Sequence, residues 1–194
     1  MNYYFNKVLE SAKQNTCYAR LADYETKIMQ AAGKLKLYVQ YKGTPSEDIY
    51  KNSFIDECLG SSCDDAVQNL VSALDGNSGM FGCDLMQILY QGDVNGNYYL
   101  GWNDQVTSKA AYILVLIISG IATQSAYQTL KTGNKLAWTV VQSHYTEPVI
   151  RIVDRIKQYS DQCMNEMWNT AKVNTERILI EHKGAPNKEM TEVI

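Results

Sequence analysis

A chain of 194 residues with 45% apolar and 20% charged side chains can bury a substantial core, and this composition excludes global disorder. The net charge is −3 and the Lys and Arg residues are scattered, which leaves no basic footprint for nucleic acid and no polybasic membrane anchor. Three prolines suit long helices, and fourteen tyrosines suit wet interfaces, where the ring is buried and the hydroxyl finds a partner.

Residues 2–40 read as one long helix. Cys17, Leu21, Tyr24, Ile28, Ala31, Leu35 and Tyr38 recur at alternate spacings of four and three, which is the seam of a bundle helix. Phe5, Val8 and Ala12 extend the stripe upstream. At about 1.5 Å per residue this helix outruns a compact globule, so an elongated molecule is expected. Lys42-Gly43-Thr44-Pro45 breaks it. Thr44 then caps a second helix, with Pro45 in its first turn and Glu47 at the capping-box position. Ile49, Phe54, Ile55, Cys58 and Leu59 form its apolar face, and Gly60 ends it. Ser61 or Ser62 caps a third helix with the stripe Ala66, Val67, Leu70, Val71, Leu74, closed by Gly76. Residues 80–90 make a fourth, with Leu85, Ile88 and Leu89 at helical spacing.

Between Gly92 and Asn103 the helical signals stop. Asn95-Gly96 is a tight-turn dipeptide, so a small hairpin or an irregular loop is expected over 92–103. Asp93, Asn95, Asn97, Tyr99 and Asp104 also fall at the ligand spacings of a calcium loop. Tyr98 stands where the sharp turn of such a loop needs glycine, and Asp104 is shorter than the usual glutamate; both argue against calcium. No metal and no cofactor is expected.

The next stretch dominates the chain. From Lys109 to Lys131 no charge interrupts the run, and Tyr112, Ile113, Leu114, Val115, Leu116, Ile117, Ile118 and Ile121 make its first half strongly apolar. Thr123, Gln124, Ser125, Gln128 and Thr129 dilute the second half, and the two glutamines would be expensive in lipid without neighbouring helices. The expectation is therefore a core helix wrapped by its neighbours, capped by Asn103 or Asp104 and ended by Gly133. A last long helix runs from Lys135 to about His182, on the seam Val149, Ile152, Ile156, Tyr159, Cys163, Met167, Thr170. Pro148 either kinks it or marks a fresh start behind Thr146. A polar tail follows from about residue 184.

Catalytic motifs are missing: there is no Gly-rich phosphate loop, no Gly-x-Ser-x-Gly elbow and no His-Glu-x-x-His. His144 and His182 read as packing or capping residues. Asp64-Asp65 reads as negative charge at a helix N-terminus, and Glu25, Asp154 and Glu166 as solvated charges or ion-pair partners. Enzyme activity is not expected. The five cysteines form no Cys-x-x-Cys pair. They read either as buried small residues or as one or two disulfides of an oxidising compartment. In the second case Cys17 and Cys163 would pin the first helix to the last, and Cys58 and Cys63 would close a local loop. The start Met-Asn-Tyr-Tyr-Phe suits a cytosolic protein or a trimmed secreted one.

Three runs carry a family resemblance: Cys83 to Gly92 (Cys-Asp-Leu-Met-Gln-Ile-Leu-Tyr-Gln-Gly), Tyr112 to Ile121, and Ala126-Tyr127-Gln128-Thr129-Leu130-Lys131. In these the chain is similar to the cephalotoxin-like and rapunzel-like animal proteins, which also set an apolar helix ending in Ala-Tyr-x-x-Leu-Lys between long amphipathic helices. The resemblance implies a secreted toxin at one end of the family and developmental proteins at the other, and it transfers no catalytic residue. The layout also resembles helical pore-forming toxins, a likeness of architecture only.

The expected fold is thus all-α: a single elongated antiparallel bundle over residues 1–194, with long first and last helices and a central apolar one. The expected function is that of a secreted toxin-like protein acting on membrane lipid or a cell-surface protein by exposing residues 113–121, with a homo-oligomer as an alternative assembly. The competing expectation is a soluble helical binding module for a protein or a small apolar ligand, its site lined by tyrosines and by Trp102, Trp138 and Trp168.

Overall fold

The structure, a computed structural model, describes residues 2–60, 62–76, 84–91 and 102–181. Six helices account for nearly all of them: α1 (Asn2–Tyr41), α2 (Glu47–Gly60), α3 (Cys63–Asp75), α4 (Leu85–Gln91), α5 (Trp102–Thr132) and α6 (Ala137–Glu181). There is no strand among the described residues. The all-α expectation is met. The hairpin expected at 92–103 falls on residues 92–101, outside the described set, while Trp102 and Asn103 already belong to α5.

α1 spans 40 residues and α6 spans 45, so each is roughly 60–70 Å long at the rise of an α-helix. The α1 seam packs as its spacing predicts. Cys17, Ile28, Ala31 and Tyr38 are buried, and Leu21, Tyr24 and Leu35 rest half-buried against the core. Farther upstream Ala12 is exposed, so the stripe does not continue inward there. α6 buries Ile152 and lays Val149, Ile156 and Tyr159 against the core, and Pro148 sits inside one continuous helix.

Contacts set the helix directions. Tyr112 reaches Glu25 and Gly120 meets Ile28, so α1 and α5 advance together. Gly120 also meets Val67, and Gln124 hydrogen-bonds Cys63, so α3 runs against α5. Tyr145 pairs with Asp64 and Arg151 with Asp75, so α6 advances with α3. The tight α5–α6 turn closes the set, with Gly133 in the left-handed region at φ 67° as a helix-ending glycine.

Several helix starts differ from expectation: α5 begins at Trp102, so Asn103 and Asp104 lie inside it rather than capping it, and α6 begins at Ala137 rather than Lys135. α2 begins at Glu47, whose carboxylate accepts from the Gly43 N–H at 2.7 Å, while the Thr44 hydroxyl donates to the Tyr41 carbonyl at 2.7 Å. The turn thus uses both side chains, and Pro45 stays outside the helix. Ser62 precedes α3 in a left-handed conformation at φ 52° without a side-chain cap. Asp84 caps α4 by accepting from the Gln87 N–H at 3.1 Å, a role its spacing before Leu85 could have revealed.

α2 departs most from its expected face. Phe54 and Cys58 are buried and Ile55 is half-buried, but Ile49 and Leu59 are exposed at 68% and 62%. A helix of 14 residues packed on the longer α1 and α5 has room for only a narrow contact stripe.

Candidate functional site

α5 lies chiefly against α1, α3 and α6, with smaller contacts to α2 and α4, and these neighbours do not enclose it. Ala110, Ile113, Leu116, Ile117, Gly120 and Ile121 point into the core, and Leu114 is half-buried. On the other side Ala111, Val115, Ile118 and Ala122, spaced four, three and four, form a continuous exposed apolar stripe with Tyr112 beside it. Tyr112, Val115 and Ile118 are 49%, 62% and 50% exposed. The eight apolar residues singled out from sequence therefore divide: Ile113, Leu116, Ile117 and Ile121 are core, Leu114 is intermediate, and Tyr112, Val115 and Ile118 face outward. The expectation of a wrapped helix is corrected to a helix with one open side. The cause is geometric, because its apolar residues cover the whole circumference and the neighbours reach only part of it.

Glycine makes the closest approach. A Cβ on Gly120 would collide with the Val67 Cγ2 of α3, so the two backbones meet where only hydrogen fits. A lone glycine inside the apolar run was the available signal for this contact.

The diluted second half of α5 satisfies itself. Thr123 and Ser125 are buried, and their hydroxyls donate to the Ser119 and Ile121 carbonyls at 2.8 Å. Thr129 donates to the Ser125 carbonyl at 2.8 Å and Thr132 to that of Gln128 at 2.7 Å. Each bond closes on the helix's own preceding turn, so these hydroxyls need no external partner in any surroundings. Gln124, 3% exposed, hydrogen-bonds the Cys63 thiol.

Beside this half opens a cleft of about 560 Å³ between α3, α5 and the start of α6. Gln124 and Gln128 line one side, Leu136 and Val140 another, and His144 and Tyr145 complete it with Asp64. The Tyr145 hydroxyl donates to Asp64 at 3.2 Å, and burial raises its pKa, so it stays protonated. His144 is exposed, edge-on to the Tyr145 ring. Trp138 does not line the cleft, and the side chains of Trp102 and Trp168 lie outside the described residues. The expected tryptophan-lined pocket is thus corrected, for Trp138, to an amide- and valine-lined one.

Cys58 and Cys63 are free, buried thiols, so the local bridge between them is not formed. Burial pushes Cys58 up to about 12 and Cys63 up to about 11, the Gln124 hydrogen bond pulling the latter back. Such thiols are inert. Cys17 is buried on the α1 seam, and the Cys163 side chain lies outside the described residues. So do the calcium candidates Asp93, Asn95 and Asn97, while Asp104 falls in the first turn of α5. Among the described residues no group of three His, Cys, Asp or Glu is placed to hold a metal ion.

Ser108–Thr132 is, among the described residues, the one helical segment long and apolar enough to cross a membrane, and 56% of its most apolar window is buried. A family model of a helical domain matches the chain over residues 2–185, α5 and both long helices included. The chain belongs to the cephalotoxin-like middle helical domain family. The match extends well beyond the three runs that carry the resemblance and takes in both long helices. Membership makes this a toxin-like helical protein. No curated protein and no solved structure matches the chain.

Proposed function

We propose that this domain is a secreted, non-enzymatic toxin or effector that acts on a membrane or a cell-surface receptor by releasing α5 from the bundle. The observation that carries the reading is α5 itself: uncharged from Ala110 to Leu130, apolar on every side in its first half, and already uncovered along Ala111, Val115, Ile118 and Ala122. The hydroxyls of Thr123, Ser125 and Thr129 are satisfied within the helix, which lowers the cost of moving the polar half out of water. Gln124 and Gln128, with the Tyr112 hydroxyl that gives up Glu25, then need partners, and a second copy of α5 offers them to the amides. A bridge between Cys17 and Cys163 suits the secreted reading. α6 runs opposite to α1, and the register set by Ile28 against Gly120 brings Cys17 level with the Cys163 region of α6. Such a bridge would hold the ends of the long helices together while α5 moves.

Leakage and flotation of liposomes across a pH series test the proposal. Leakage that a charge on the open stripe (Val115→Asp) abolishes is the expected result. Neither binding nor leakage under any condition would sink the membrane version.

The second reading, a soluble binding module, is favoured by the cleft beside Gln124 and Gln128, whose amides would orient a ligand resting on Leu136 and Val140. Chemical shifts confined to the cleft on adding a ligand, with no leakage, would select it.

A further inference from the structure

We propose that the tip of the α5–α6 hairpin, residues 131–140, is a docking surface for anionic lipid headgroups, used by the intact bundle before α5 leaves it. The inference rests on the membrane reading above and adds to it the lipid class and the part of the molecule that meets it first.

Charge is segregated along the chain. The 42 residues from Gln105 to Thr146 hold three lysines and no Asp or Glu, whereas the other 152 residues hold 15 basic and 21 acidic side chains. Two of those lysines, Lys131 and Lys135, bracket the turn, and among the described residues neither makes a salt bridge. The Lys131 ammonium lies 5.3 Å from the centre of the Tyr127 ring. Asp64 is the acidic group that faces this part of α6, and it is already engaged by Tyr145 farther down the helix.

The tip also projects. Leu136, Trp138 and Val140 are 69%, 44% and 68% exposed, although Trp138 points away from the other two around the helix. Leu136 and Val140 open on the side of the cleft and Trp138 on the other, so the turn is accessible on both faces. Of residues 131–140, all but Ala137 are exposed to solvent. An acid-free loop presenting a tryptophan, two aliphatic residues and two lysines matches the boundary between headgroups and acyl chains, where indole and aliphatic groups sit below ammonium groups paired with lipid phosphates.

The backbone of the turn is prepared for leaving water. The Gly133 N–H donates to the Thr129 carbonyl at 3.0 Å, that of Asn134 to the Thr132 hydroxyl at 3.2 Å, that of Leu136 to the Asn134 side chain at 2.9 Å, and that of Ala137 to the Asn134 carbonyl at 3.1 Å. Donors of a loop normally rely on solvent; these are closed internally, so immersion strands none of them.

The test uses the whole chain carrying Trp102→Phe and Trp168→Phe, which leaves Trp138 as the single emitter. Vesicles of phosphatidylcholine containing one third phosphatidylserine should shift its fluorescence to the blue and allow quenching from within the bilayer, while pure phosphatidylcholine vesicles should not. Lys131→Gln with Lys135→Gln should weaken binding about 30-fold, on the order of fivefold per lysine, and added salt should mimic the loss. Lys109→Gln, at the other end of α5, should leave binding unchanged; far-UV circular dichroism checks that each variant is folded. Equal binding to neutral vesicles, an unshifted Trp138, or an equal loss from Lys109→Gln overturns the proposal. So does a dimer that Trp138→Ala dissolves without any vesicle binding, which would assign the tip to a second copy of the chain. Binding without leakage upholds the docking surface and removes the release of α5; leakage with Trp138 unshifted does the reverse.

Discussion

α3 and α5 touch at Val67 and Gly120, yet they use their apolar side chains in opposite ways. Every apolar residue of α3 (Cys63, Ala66, Val67, Leu70, Val71, Ala73 and Leu74) is buried, so its hydrophobic surface is consumed by the fold. α5 keeps a surplus: Tyr112, Val115 and Ile118 stay about half exposed although a polar residue at each position would serve solubility better. Full burial of a side chain of this size is worth about 1.5–3 kcal/mol, a gain that the folded bundle leaves unused. The difference separates a helix whose apolar surface the fold consumes from a helix that keeps part of its own exposed.

The contrast is broken or sharpened most directly by truncating one side chain on each helix. Leu70→Ala should cost about 3 kcal/mol in urea denaturation, while Val115→Ala should stay within about 0.5 kcal/mol. A comparable loss at Val115 would mean that the stripe is covered in solution, and the contrast would fail. Gly120→Ala probes the seam between the two helices. Its new methyl group has to displace Val67, so a loss of about 1–3 kcal/mol is expected from the same measurement. A smaller effect belongs to the far end of α3. There Arg155 donates to the Leu74 carbonyl and pairs with Asp84 at 2.8 Å, and Arg155→Met should cost about 1–2 kcal/mol, read as a lower midpoint of thermal unfolding.

The least effect at neutral pH comes from the two buried thiols. An unfolded thiol ionises near 9, whereas burial holds Cys58 protonated up to about 12 and Cys63 up to about 11. Their contribution is therefore complete below about pH 9 and is lost as pH rises through 11 and 12. The Cys58→Ala, Cys63→Ala variant should match the parent in pH dependence of stability from pH 7 to about 9 and decline less steeply above it. Identical curves above pH 9 would show the thiols to be exposed. A thiol-specific reagent offers a second check, since both groups should react only on unfolding.

How much was legible in the sequence differs from helix to helix. The seam of α1 from Cys17 to Tyr38 and the stripe of α3 from Ala66 to Leu74 could be read directly, because a period near 3.6 residues reports one face of a helix wherever that helix is placed. The glycine ends at Gly76 and Gly133 were equally plain, since both adopt positive φ as helix-ending residues do. In α2 the same reading went too far. Ile49 and Leu59 lie on helically spaced positions but at the margins of a short element, where no neighbour reaches them.

By itself the sequence determined an all-helical chain, its six elements and the identity of the uncharged apolar helix, because propensity, capping and periodicity are local properties of the chain. Only the tertiary structure decided that α5 packs into the core along one side and stays open along Ala111, Val115, Ile118 and Ala122. It also decided that the α5–α6 tip projects with Leu136, Trp138 and Val140 exposed, and that Gln124 meets Cys63 beside a cleft. A run that is apolar all round carries no periodicity to say which side a neighbour will take. That choice is made by where the other helices can physically stand, set here by the contact of Gly120 with Val67 and Ile28.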